Sequence, residues 1–269
     1  MDLPGGVPAD IDLSRPSAAR VYDYFLGGAH NFEIDRQLAE QIASLTPNLA
    51  ETMRAGRAFL RRAVRFLAAE GVDQYLDIGS GIPTVGNVHE VAQAANPNAR
   101  VVYVDVDPVA VAHSRSILEG NERAGVIEAD LREPARILAE SQELGLIDLS
   151  RPVGLLLAGI VHFIPDADRP GEILATLRDA MPAGSFLVIS HSTFEEQPPE
   201  MLEAQKLSGR TATEITLRSR AEITGYFGDF RLVEPGLVFM PRWRPDRPED
   251  GDNHPERFGA YGGVGRKGP

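Results

Sequence analysis

Gln74-Tyr75-Leu76-Asp77-Ile78-Gly79-Ser80-Gly81-Ile82-Pro83-Thr84 is a short apolar run that breaks into two glycines one residue apart. A strand that runs into Gly-x-Gly can turn tightly and bring its backbone against a ligand, because glycine lacks a Cβ and tolerates positive φ. By itself such a turn is common. Its neighbours make it specific. Asp77 stands just before the first glycine, where a carboxylate would repel a pyrophosphate and suits a cationic or amino-bearing ligand. The next apolar run, Val101-Val102-Tyr103-Val104-Asp105, ends in an acid 26 positions after Gly79, near the ~20 expected of a carboxylate that bonds ribose hydroxyls. An adenosine ligand satisfies both features. Asp105 could instead cap the helix that opens at Pro108, but Asp107 fits that role better, so Asp105 is assigned to ribose and Asp107 to the cap. A third acid, Asp130, follows the next strand and could likewise cap the helix after Pro134. Three acids at three successive strand ends line one crevice at the edge where open α/β sheets bind ligands.

Outward from this turn, apolar runs at 74–78, 100–105, 124–128, 153–158 and 185–191 alternate with helical patterns at about 85–95, 108–119, 134–144 and 168–180. That rhythm predicts βαβ units and a parallel sheet. Beyond residue 198 come expected helices at 199–207 and 219–227, then β-like stretches at 231–240 and 258–266. The Pro- and charge-rich segment 243–252 between them reads as an exposed loop joining an antiparallel hairpin. On the N-terminal side, residues 1–14 are rich in Pro, Gly and Asp and read as a flexible arm. Residues 15–71 are helical: Val21, Tyr24 and Phe25 share a face, Gly27-Gly28 stops that helix, and Ile34, Leu38, Ile42 and Leu45 form a second stripe. A third helix over 49–69 ends at Gly71. The expected fold is a Rossmann-like, doubly wound α/β domain over 72–269, with a mostly parallel seven-stranded sheet and an antiparallel C-terminal hairpin. The helical segment 15–71 is expected to act as a lid over it.

Composition narrows the function. The chain has 269 residues, 43% of them hydrophobic and 25% charged, the balance of a folded globular protein. Its net charge of −12 would repel a phosphate backbone, and no dense Lys/Arg run offsets it, so nucleic acid is not an expected partner. There is no cysteine, which excludes disulfides and thiolate chemistry. The six histidines lack paired ligand spacing, so no metal site is expected. The first fifteen residues have neither a basic start nor an apolar stretch, and the longest apolar run, 153–161, falls short of the ~20 residues that span a bilayer. A cytoplasmic protein without membrane contact is the expectation.

The order Asp-x-Gly-x-Gly, Tyr-Val-Asp-x-Asp-Pro, Ala-Asp-Leu-Arg and His-Phe-Ile-Pro-Asp across 74–191 resembles class I methyltransferases dependent on S-adenosylmethionine (SAM). More narrowly, Arg20-Val21-Tyr22-Asp23-Tyr24-Phe25-Leu26-Gly27-Gly28 with Asn31-Phe32 and Asp35-Arg36, together with Asp77 to Thr84, resembles an actinobacterial S-adenosyl methyltransferase family from about residue 15 onward. The resemblance implies a cofactor-binding set of Asp77, Gly79, Ser80, Gly81, Asp105, Val106, Asp130 and Leu131. Within it, Gly79 and Gly81 would surround the methionine part, Asp77 would lie near the amino group, Asp105 on the ribose, and Asp130 with Leu131 at the adenine. Pro83 departs from the general class, where a third glycine is common.

Methyl transfer is an in-line displacement in which positioning and exclusion of water supply much of the acceleration, so a base is needed only if the acceptor must lose a proton. His162 and His191, at the ends of the fourth and fifth strands, and Tyr22 are the candidates, with core packing and loop bonding as alternatives. Tyr24, Gly28, Asn31 and Phe32 are candidate lid or substrate residues. The acceptor expected is a small molecule. Two other readings share these motifs: an NAD-dependent oxidoreductase, which Asp77 and Thr84 disfavour, and a SAM-binding sensor or scaffold without catalysis.

Overall fold

The computed structural model describes residues 14–46, 48–83, 86–197 and 215–269. Residues 1–13 of the expected arm, the helix expected over 199–207, and Thr84 lie outside the described residues. The alternation read from the sequence is present strand for strand: β1 (Gln74–Ile78), β2 (Arg100–Asp105), β3 (Ala124–Glu128), β4 (Gly154–Ala158) and β5 (Phe186–Ser192) all run parallel. Their crossovers carry α4 (Val88–Ala95), α5 (Pro108–Ile117), α6 (Pro134–Glu143) and α7 (Pro170–Ala180). Strand order is β3-β2-β1-β4-β5, so the winding reverses between β1 and β4, which is where ligands bind in doubly wound sheets.

The C-terminal part is antiparallel, with two differences from the expected hairpin. The stretch 231–240 is not one strand. A turn closed by Gly236 N–H donating to Val233 O (2.7 Å) splits it into β6 (Phe230–Leu232) and β7 (Val238–Phe239), which brings the sheet to eight strands. And β8 (Ala260–Lys267) lies inside the sheet, antiparallel to β5 on one side and to β6 and β7 on the other. The segment that opens at Trp243 is also not wholly exposed. Trp243 is fully buried, its ring edge-on to Phe59 at 5.5 Å and to Phe66 at 5.8 Å, while Arg62 Nε donates to its carbonyl. A short helix, α8 (Arg220–Gly225), precedes β6, capped by Ser219 Oγ accepting from Glu222 N–H.

Two cores follow from the period-2 alternation of the strands. Leu76, Ile78, Val102, Val104, Leu155, Leu157, Leu187 and Ile189 face α6, α7 and α8. Tyr75, Val101, Tyr103, Leu156 and Val188 face the opposite side, against Phe59, Leu60, Ala63, Val64 and Leu67 of α3 (Leu49–Ala69) and Val88 and Ala92 of α4. The helical segment 15–71 is therefore divided. Its third helix is a structural layer of the sheet sandwich. Only α1 (Ala18–Phe25) and α2 (Glu33–Leu45) stand apart as a cap, with a small core of Val21, Phe25 and Ala39.

Candidate functional site

The alternation that buries Tyr75 on the α3 side puts Asp77 on that side too, beside Tyr103, its partner in register on β2. Asp77 is almost fully buried, and desolvation pushes its carboxyl up to about 7, partly opposed by the Arg57 guanidinium and reinforced by Asp105. Arg57 comes from α3. Its Nη2 donates to Asn87 Oδ1 (3.3 Å) at the far end of the glycine connection, and its Nε is buried with no hydrogen-bond partner.

The two glycines of the turn do different work. Gly79 has φ +74°, and a Cβ there would come within 2.4 Å of the Ile160 side chain, so the room it leaves is filled by the β4 connection. Gly81 has φ +67°, and a Cβ there would meet nothing within 4 Å, so it faces open space. Between them the Ser80 hydroxyl is buried and unpartnered. Gly79 N–H and Ser80 N–H both donate to Val104 O, and Gly81 N–H donates to Asp105 Oδ2 (2.7 Å).

Asp105 Oδ1 accepts from Asp107 N–H (2.9 Å). Burial raises the Asp105 carboxyl to about 6, against the pull of those backbone bonds. Backbone N–H groups of Gly81, Asp107 and Val106 reach the carboxylate, whose two oxygens offer about four lone-pair sites, so the group can still receive a hydroxyl. Asp107 is the cap expected of it, accepting from Val109 N–H (2.8 Å) and Ala110 N–H (3.3 Å). Val106, next to the ribose candidate, is 61% exposed, an apolar surface beside a buried acid. Leu131 is buried in the core. Asp130 is held by Arg132, which donates to it from backbone and side chain and reaches on to Asp168 (3.2 Å); these bonds keep its carboxyl below its ordinary range despite partial desolvation. Its carboxylate is thus occupied at the mouth of the β3 connection.

The cap is fastened onto this turn. Phe32 and Ala19 pack on Ile82, Val109 and Ala110, and buried Arg20 bridges Asp35 (2.9 Å) and Asp107 (3.6 Å). Most of the polar cap residues singled out in the sequence are consumed by the cap itself. Asp23 Oδ2 accepts from His30 N–H and Asn31 Nδ2, and Asn31 also donates to Gly28 O. Gly28 is required because a Cβ there would sit 2.0 Å from Asp23 Oδ1. Tyr24 packs edge-on to Phe25 at 5.8 Å. Tyr22 is a strut from cap to sandwich: its hydroxyl donates to Met53 O on α3 (3.0 Å), and burial raises its pKa. A phenol so held is a poor base, which removes Tyr22 from the catalytic candidates.

His191 is likewise committed. Its Nδ1 bonds Ser192 O (2.7 Å), and its Nε2 faces Arg218 Nη1 (2.9 Å), a donor, so the ring is neutral with Nδ1 protonated. Desolvation lowers its pKa to about 4. Arg218, itself buried, also donates to Val161 O, Ile164 O and Asp166 Oδ1, closing a network that ties β5 to the β4 connection. His191 is thus a structural acceptor and not a free base. His162 differs: burial, with the nearby His191 and Arg218, keeps it neutral, and its Nδ1 is buried without a partner. Its ring lies beside Gly159, next to the Ile160 that covers Gly79.

Arg57 and Arg218 escaped the sequence reading. A signal for Arg57 existed: Met53, Arg57, Leu60, Val64 and Leu67 fall on one stripe of α3, and a cation on a core-facing stripe asks for a partner. Arg218 has no such local mark. Among the described residues no group of His, Cys, Asp or Glu could hold a metal ion.

The family model described as S-adenosyl methyltransferase matches residues 5–268. A solved structure of a methyltransferase candidate from Thermobifida fusca YX is 40% identical, with a TM-score of 0.91 over 97% of this chain and 98% of that one. A DUF574 family protein from Streptomyces avermitilis MA-4680 is 38% identical, with a TM-score of 0.90 over 95% of this chain and 99% of that one. An O-methyltransferase family protein from Burkholderia thailandensis, at 12% identity and a TM-score of 0.55 over 96% of this chain and 65% of that one, shares the fold. No curated protein matches. With the family model spanning nearly its whole length, the chain belongs to the S-adenosyl methyltransferase family.

Proposed function

We propose that the crevice at the ends of β1 and β2 binds SAM and that the chain transfers its methyl group to a small-molecule acceptor under the cap helices. The observation that carries this is the pairing of unsatisfied groups with a matching ligand. Asp105 has acceptor capacity for ribose hydroxyls, Val106 offers an apolar flank for adenine, Asp77 offers a buried carboxylate for an amino group, and Ser80 Oγ lacks a partner. A dinucleotide fits less well, since Asp77 would face its pyrophosphate.

Held there, SAM would supply an electrophilic methyl group for in-line transfer to the acceptor. The residues contribute position. Asp105 bonds the ribose, Gly81 leaves room beside the methionine part, Phe32 and Ile82 pack over the turn, and His162 is the base candidate whose ring keeps a nitrogen without a described partner. The acidic charge of −12 favours a metabolite over nucleic acid, and no helix of the described residues is long and apolar enough to cross a membrane.

The test is turnover across a panel of small hydroxyl, amine and carbon acceptors, read as release of S-adenosylhomocysteine. Sustained release with one acceptor supports the reading. Tight binding of SAM without turnover on any of them would favour a sensor, and binding of NAD(H) in place of SAM would overturn it.

A further inference from the structure

The cap and Asp105 are joined by a chain of buried charges. Arg20 and Asp35 belong to the cap and Asp107 to the connection after β2, and all three are more than nine-tenths buried. Arg20 Nε donates to Asp35 Oδ2 (2.9 Å), its Nη2 donates to Arg15 O (2.7 Å), and its Nη1 lies 3.6 Å from Asp107 Oδ2. Asp35 is itself fixed, accepting from the N–H groups of Ser17 and Phe32 at 2.9 Å each, and the guanidinium lies 5.5 Å from the centre of the Phe32 ring. The apolar contact of Ala19 and Phe32 with Ile82, Val109 and Ala110 already gives the cap a reason to dock. A buried ion pair adds little to that, because desolvation offsets most of its attraction; what it adds is a defined geometry.

That geometry ends at Asp105. Asp107 Oδ1 accepts from the Val109 and Ala110 N–H groups while its Oδ2 faces Arg20, so the carboxylate is held by α5 on one side and by the cap on the other. The N–H of the same residue donates to Asp105 Oδ1 (2.9 Å), and Asp105 Oδ2 accepts from Gly81 N–H (2.7 Å). The neighbouring carboxylates of Asp105 and Asp107 repel each other, and the guanidinium offsets that repulsion from the far side. We propose that Arg20 is a positioning residue for the cofactor: through Asp107 it fixes the direction in which the Asp105 carboxylate faces the ribose hydroxyls, so that docking of the cap and capture of the ribose strengthen each other. Coupling of this kind is reciprocal. The proposal rests on the SAM reading above and on Asp105 as the ribose contact. It gives the buried charges of the cap a task in cofactor binding without requiring Arg20 to touch the ligand.

The experiment is calorimetric titration of the full chain with S-adenosylhomocysteine and with its 2′,3′-dideoxy analogue, which lacks both ribose hydroxyls. Wild type is compared with Arg20→Gln, Asp105→Ala and the double variant, each checked for folding by its thermal transition. Arg20→Gln is expected to lose about 10-fold for S-adenosylhomocysteine and less than about twofold for the dideoxy analogue. The double variant is expected to bind S-adenosylhomocysteine as Asp105→Ala does, because residues that act as one unit are not additive. Arg20→Lys keeps the charge but lacks the fork that spans both carboxylates, so it is expected to fall between wild type and Arg20→Gln; it carries the same ligand comparison if Arg20→Gln does not fold. Equal losses for both ligands would make Arg20 a brace for the cap alone and overturn the proposal. An unchanged affinity for S-adenosylhomocysteine, or losses that add in the double variant, would do the same. Wild type that bound both ligands equally would remove Asp105 from the ribose, and wild type that bound neither would remove the SAM reading; the proposal falls in both cases, by results distinct from its own.

Discussion

The two halves of the sheet's ligand edge are built on opposite principles. At β1 and β2 the polar groups are poised: two carboxylates raised by burial, a hydroxyl and a guanidinium nitrogen without partners, and a glycine facing open space. At β4 and β5 the polar groups are closed on one another, with Arg218 satisfying His191, Asp166 and two backbone carbonyls, while His162 Nδ1 is left without a partner among the described residues. The first half stores binding capacity that a ligand would release; the second stores rigidity. A histidine at a strand end is therefore not evidence of proton transfer until its two nitrogens have been traced.

If this contrast is right, damage to the closed half should appear in stability and damage to the poised half in binding. The largest effect is expected for Arg218→Met, which leaves His191 Nε2 and the Ile164 carbonyl without their described partner and frees Asp166. We expect a loss of about 3 kcal/mol in denaturant unfolding, with SAM affinity of the folded protein within twofold of wild type; a large affinity loss without destabilisation would merge the two halves. Asp105→Ala should do the reverse, weakening SAM by roughly 100-fold, about 2.7 kcal/mol, as measured by calorimetry. Some destabilisation is expected as well, because Gly81 N–H and Asp107 N–H lose their acceptor.

The next effect concerns pH. Because Asp77 is raised to about 7 and Asp105 to about 6, the folded, ligand-free protein holds protons that the unfolded chain has released above about pH 4. Their contribution to stability is present at low pH and lost as pH rises through 6 to 7. His191, lowered to about 4, acts oppositely, favouring the fold above the ordinary histidine range and losing that contribution as pH falls. An ammonium beside Asp77 needs it ionised, so SAM affinity should rise roughly 30-fold between pH 5.5 and 8, and with it the melting shift that SAM induces. A shift independent of pH would remove Asp77 from the amino group. The smallest effect is Tyr22→Phe, which should cost about 1 kcal/mol of stability and leave the pH profile of turnover unmoved; a displaced profile would restore Tyr22 as a base.

What could be read from the chain was what repeats locally. Strand and helix alternation, the turn at Gly79–Gly81, the cap role of Asp107 and the antiparallel C-terminal pairing are all written in short windows. What could not be read depends on contacts distant in sequence. The burial of Trp243 comes from Phe59 and Phe66 on α3, far earlier in the chain. The insertion of β8 between β5 and β6 is set by sheet pairing and not by the loop that precedes it. His191 and Arg218 are 27 residues apart, and no spacing rule joins them. The polar signature of the cap looked like a ligand surface because Gly28, Asn31 and Tyr22 are polar or small; they are so in order to satisfy Asp23 and Met53.

The central claim is that the poised half receives SAM through Asp105 and Asp77. A crystal structure of the full chain with S-adenosylhomocysteine tests it most directly. The account predicts ribose hydroxyls within hydrogen-bond distance of Asp105, adenine against Val106 and the amino group toward Asp77. Nucleoside density elsewhere, or a ribose with Asp105 still bonded only to Gly81 and Asp107, would contradict it.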